Sequence, residues 1–230
     1  MVSATSHRHH PALMPLLLLL LLLAAVGSIA LGTVPLSLAR MAAVLVGKGD
    51  AVARIILIDL RLPRAVVGLA VGAMLGLAGA VLQGYLRNPL AEPSVLGASN
   101  AAALGAVGAI YYGLSEWNVL LLPLMAIGAA LIALVLLDYL AGRGESPLTL
   151  ILAGIAIATL ASAGISLALN LSPNPFAAME IMTWLLGSVE NRSIEHVWIA
   201  LPCVALGAFF LLRDGRVLDA LALGEDGARS

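Results

Sequence analysis

Across 230 residues the chain is 61% hydrophobic and 11% charged, and its mean hydropathy is +1.05. That balance excludes a water-soluble globule, in which about a quarter of residues carry charge, and a disordered chain, which is poor in apolar residues. Twelve basic against thirteen acidic side chains, a net charge of −1, leave no basic face for nucleic acid.

Taken in chain order, residues 11–39, 65–86, 93–115, 117–137 and 146–179 contain no Asp, Glu, Lys or Arg, and residues 196–212 form a shorter sixth stretch. A helix crosses a hydrocarbon core of about 30 Å with about 20 apolar residues at roughly 1.5 Å each. The pattern predicts an all-α, multi-pass membrane bundle of about six transmembrane helices in a single domain spanning residues 1–230. Helices are preferred to a membrane barrel because the runs are continuous rather than alternating.

The first run has the layout of a secretory signal with a small-residue cleavage site near Ala30, or of an uncleaved first span. Its apolar stretch from Ala12 to Leu31 exceeds a usual signal core and five runs follow, so it is read as a span. Residues 36–46 then predict a surface amphipathic helix, with a turn at Gly47-Lys48-Gly49-Asp50 and a second apolar approach to the next run. In that next run Gly68, Gly72, Gly76 and Gly79 recur at steps of four, four and three, and a further step of four reaches Gln83. Such a face admits close approach of a neighbouring helix, so a tightly packed interior helix is expected. The Gln83 amide then makes an interhelical hydrogen bond or faces a polar cavity.

Arg87-Asn88-Pro89-Leu90-Ala91-Glu92-Pro93 ends that helix and forces a turn at the membrane surface, where Arg87 and Glu92 stay wet. Further on, Gly154, Ala158, Ser162 and Ser166 again step by four, either a packing face or the lining of a pathway. Cys203 permits no internal disulfide and no Cys-based zinc site. His7, His9, His10 and His196 make no metal-ligand spacing within a run and no Ser/His/Asp grouping is readable. No enzyme chemistry and no metal site are therefore expected. Charge does not orient the chain. With the amino terminus cytoplasmic, Arg8, Arg87, Arg143, Arg213, Arg216 and Arg229 lie inside against Arg40, Lys48, Arg54, Arg61, Arg64 and Arg192 outside.

The string Arg61-Leu62-Pro63-Arg64, the Gly/Ala-rich run, Gln83, the 87–93 turn and then Leu96-Gly97 and Ser99-Asn100 together resemble the FecCD-type permeases. These are the membrane subunits of ABC importers for iron-siderophores, haem and cobalamin. Trp184-Leu185-Leu186-Gly187-Ser188 is similar to that family's Trp-x-x-Gly-Ser element, and residues 213–230 to its cytoplasmic coupling segment.

The resemblance implies an amino terminus inside the cytoplasmic membrane and a second permease copy, homo- or heterodimeric. It implies docking of an extracytoplasmic substrate-binding protein on Arg61 and Arg64, whose guanidinium forks suit carboxylates. It also implies a cytoplasmic gate near Ser146 and Pro147, and an ABC ATPase gripped through Leu221, Gly224, Glu225 and Ala228. ATP would be used by that ATPase, because this chain has no Gly-x-x-x-x-Gly-Lys-[Ser/Thr] loop and is expected to hold no cofactor.

Ala101 departs from the glycine of many relatives. The family pattern of about ten spans makes this sequence its amino-terminal part, with roughly the last third expected to be missing. The alternatives are a non-functional truncated permease and an ion-coupled secondary carrier, the latter disfavoured by runs nearly free of ionisable groups.

Overall fold

The computed structural model describes residues 12–142, 147–190, 192–213 and 215, and every regular element among them is helical. The chain divides into two units, residues 1–73 with 189–206, and residues 74–188 with 207–230.

In the first unit, α1 (Leu13–Ala30) is an unbroken apolar helix with no buried residue. α2 (Leu38–Leu45) is the expected amphipathic helix, its amino end capped by the Ser37 hydroxyl on the Arg40 N–H. Asp50 caps α3 (Ala51–Arg54) through the Ala53 N–H at 2.7 Å, and its carboxylate also pairs with Arg40 at 2.7 Å. From α3 the chain continues through a π-helical segment, Ile55–Arg61, into α4 (Leu62–Leu86). Pro63 brings no N–H to the helical ladder, and the bonds just before it widen, as in Leu62 N–H to Leu57 O. Ala53, Leu57, Arg61 and Ala65, four residues apart, are all buried. Four-residue steps drift by about 40° each on an α-helix, and the wider π winding keeps the row in line.

The second unit is built around α5 (Ala98–Tyr111), which a 3-10 turn at Pro93–Leu96 introduces. The short α6 (Leu114–Trp117) follows, then α7 (Leu121–Ala141), α8 (Pro147–Asn170) and α9 (Pro175–Leu186). α10 (Ile194–Arg213), carrying Pro202 internally, is shared between the units. α5 runs antiparallel to α7 and parallel to α8. One core cluster joins Ala101, Ala133, Leu137 and Ile157, and a second joins Val107 and Ile110 to the fully buried Ile181 of α9.

Five helical stretches are long and apolar enough to cross a membrane: Leu13–Ala30, Ala51–Leu86, Leu121–Ala141, Pro147–Asn170 and Ile194–Arg213. The third apolar run of the sequence differs. Its helix, α5, has 14 residues and rises only about 21 Å, because Pro93 and Gly97 spend the start of the run on a turn. The fifth run also divides, at Ser172-Pro173-Asn174-Pro175, where Asn174 accepts from the Ala177 N–H to cap α9.

Candidate functional site

Three places hold the residues singled out by the sequence. At the end of α1, the helix bonds stop at Leu31 N–H to Gly27 O, which leaves the last carbonyls without intrahelical donors. Arg61 Nη1 donates to Ile29 O at 3.0 Å and Ala30 O at 2.8 Å, and Nη2 donates to Val34 O. Arg64 Nη2 donates to Ser28 O at 2.5 Å and Leu31 O at 3.3 Å. Arg61 is 4% exposed, so the outward-facing pair of guanidiniums expected from the sequence is here turned onto main chain.

The second place is the turn after α4. Asn88 accepts from the Leu90 N–H at 2.9 Å, forming a side-chain turn, while its own N–H bonds Gln83 O. Arg87 takes a positive φ of 49°. The Gln83 amide donates to Ala91 O at 3.4 Å, so it ties the helix to its own following turn rather than to another helix. Pro89 is exposed, as are Arg87 and Glu92, and Glu92 accepts from the Ser94 hydroxyl at 2.5 Å. Pro93 opens the 3-10 turn, which ends on Gly97 at φ 73°. There the main chain presses on α8: a Cβ at Gly97 would sit 2.7 Å from Gly154 O and 3.0 Å from Ala158 N, and one at Gly154 would strike Val95 O.

The tight packing expected on the glycine row of α4 is not formed among the described residues. A Cβ at Gly68, Gly72, Gly76 or Gly79 would meet nothing within 4 Å. Spacing gives a helix the room for a neighbour without supplying one, and among the described residues none approaches this row.

The third place is the exposed face of α8. Thr159, Ser162, Ser166 and Asn170 are all exposed and, at steps of three, four and four, lie within about 80° of arc. Asn100 of α5 donates to the Ser162 hydroxyl at 3.0 Å. Thr159 bonds Ile155 O at 2.7 Å and Asn170 bonds Ser166 O at 2.8 Å. Thr159 and Asn170 were absent from the sequence expectation; one more step of four would have reached Asn170, whereas Thr159 lies off that spacing. A cleft of about 250 Å³, lined by Leu104, Gly108, Tyr111, Gly164 and Leu171, opens between α5 and α8 on another face of α8.

Among the other expectations, Pro147 is the first residue of α8. Ser146, Leu221, Gly224, Glu225 and Ala228 lie outside the described residues, as do His7, His9 and His10. The His196 ring takes a hydrogen bond from its neighbour Ser193 at the start of α10. No group of three metal-ligating side chains occurs among the described residues. Asp50, outside the spans, is held below its ordinary carboxyl range, first by the Ala53 N–H and then by Arg40.

A family model described as the FecCD transport family matches residues 17–230. The chain is 32% identical over 208 residues to the permease protein of the iron(3+)-hydroxamate import system of Bacillus subtilis, covering 86% of this chain and 61% of that one. It is 38% identical over 179 residues to the permease protein of the cobalamin import system of Halobacterium salinarum, covering 77% and 48%. A solved ABC transporter of metal-chelate type, in an inward-facing conformation, superposes with a TM-score of 0.81 at 31% identity, over 96% of this chain and 67% of that one. The chain spans about half the length of the curated relatives it matches.

Proposed function

The chain belongs to the FecCD transport family and is a multi-pass membrane protein, and on that premise we propose that it is a permease subunit of a binding-protein-dependent ABC importer. Its substrate is a metal chelate of the iron-siderophore, haem or cobalamin type. The observation that carries this reading is the exposed row of Thr159, Ser162, Ser166 and Asn170 on a helix long enough to cross a bilayer. Polar side chains at membrane depth face protein or a watery cavity rather than lipid. This row is neutral, so it offers weak hydrogen bonds without a charged trap, which suits passage of a bulky chelate.

In this reading the protein sits in the cytoplasmic membrane with its amino terminus inside, and a second permease copy completes the pathway. The end that carries Arg61 and Arg64 receives the loaded binding protein. The ends near Pro147 and the 87–93 turn face the cytoplasm, and the segment with Leu221, Gly224, Glu225 and Ala228 grips the ATPase. ATP hydrolysis belongs to that partner, and no catalytic step is assigned to this chain.

Uptake of a radiolabelled ferric hydroxamate or of cobalamin into proteoliposomes containing the assembled transporter tests the pathway. Ser162→Leu with Asn170→Leu should cut uptake about tenfold while ATPase binding persists, since a polar row made apolar loses its hydrogen-bonding groups for the cargo. Unchanged uptake would remove the pathway role. Bulky charged residues at Leu221 and Gly224 should abolish ATPase capture in a pull-down, and retained capture would remove the coupling role.

A further inference from the structure

α1 has an unusual attachment. Leu16, Leu17, Leu18, Leu19, Leu20, Leu21, Leu22 and Leu23 are each more than half exposed, and no residue of α1 is buried. Side-chain packing within the chain therefore does little to fix this helix. Its carboxyl end is instead enclosed by polar bonds. Arg61 reaches Ile29, Ala30 and Val34 carbonyls, and Arg64 reaches those of Ser28 and Leu31.

Arg61 is 4% exposed and all its bonds go to main-chain carbonyls, none to a carboxylate. A buried charge needs compensation, and here the negative end of the α1 dipole and its orphan carbonyls supply it. The guanidinium also lies flat on one backbone position. A Cβ at Gly32 would come within 2.8 Å of Arg61 Nη2, 2.9 Å of Nε and 3.0 Å of Cζ. The aligned row of Ala53, Leu57, Arg61 and Ala65, kept straight by the π winding, aims the side chain at that seat. Arg64 is different: it is half-exposed, and both its bonds use Nη2.

We propose that Arg61 is a positioning residue, a clamp holding the carboxyl end of α1 to the long helix through main-chain carbonyls with Gly32 as its seat. The clamp stands on geometry and is independent of the permease reading. Lysine cannot replace the clamp fully, because a point charge does not present the planar fork that reaches three carbonyls at once.

Spin labels at Val26→Cys and Ile55→Cys, with Cys203→Ser, report the distance between α1 and the long helix in the assembled transporter in lipid nanodiscs. Arg61→Ala should broaden or shift that distance, Gly32→Ala should broaden it less because the guanidinium it meets ends a flexible side chain, and Arg61→Lys should recover part of the Arg61→Ala change. Gly27→Ala, where a Cβ meets open space, should leave it unchanged and controls for folding. An unchanged distance in both Gly32→Ala and Arg61→Ala overturns the clamp.

Discussion

Two glycine-bearing faces of this molecule behave in opposite ways. The α4 row of Gly68, Gly72, Gly76 and Gly79 has the regular spacing that invites a neighbour, and it meets none. The joint of Gly97, Gly105 and Gly154 has no regular spacing, yet there backbone lies on backbone: a Cβ at Gly105 would strike Met125 O, and one at Gly154 would strike Val95 O. Periodic small residues state a capacity for contact. An isolated glycine at a crossing states a necessity, because main chain cannot move aside as a flexible side chain can.

The largest test of this contrast is Gly154→Val, which should destabilise the protein by about 3 kcal/mol, the upper range for overpacking, seen as a lower thermal midpoint in detergent. Gly105→Val should behave similarly. By contrast, Gly72→Ala and Gly76→Ala should each stabilise by up to about 1 kcal/mol, the helix-propensity gain of alanine over glycine. A lower midpoint, or loss of the assembled transporter, would show that another surface covers this row. Asn100→Ala should cost about 0.6 kcal/mol, the typical value of an interhelical hydrogen bond in a membrane protein, and should be non-additive with Ser162→Ala in a double-mutant cycle. The smallest effect lies far from both faces. Asp50 titrates below its ordinary value of 3.8, so the cap on α3 is fully present above that pH and is lost as pH falls through the lowered value. Amide signals of Ala53 followed against pH would check this, and a midpoint at or above the ordinary value would contradict it.

The helices were largely legible because apolar runs bounded by charge translate directly into lengths of chain that must satisfy their own backbone in lipid. Ser37 and Asp50 were not read as caps: Ser37 fell inside the expected helix 36–46 and Asp50 in the turn after it, whereas each accepts a free N–H in the first turn of a short helix. The 87–93 turn was also readable, since proline and Asn-Pro act locally. What failed depends on tertiary neighbours. Residue spacing did not tell that Arg61 would turn onto the carbonyls of Ile29 and Ala30, which lie some thirty positions earlier. Nor did it separate the open α4 row from the closed α8 joint. The shortness of α5 and the break before α9 were written in Pro93, Gly97 and the Pro173-Asn174-Pro175 string, but the absence of charge outweighed them.

One dimension of the long helical stretch Ala51–Leu86 has a geometric consequence. Its 36 residues rise about 54 Å, whereas the hydrocarbon slab is about 30 Å thick. Even at a steep inclination of about 40° the rod climbs about 41 Å, so roughly ten of its residues stand clear of the oil. Arg54 and Asp59 mark the amino end as the part that overhangs. That end is therefore helix standing in water rather than loop, and its exposed Arg54 and Asp59 keep their hydration.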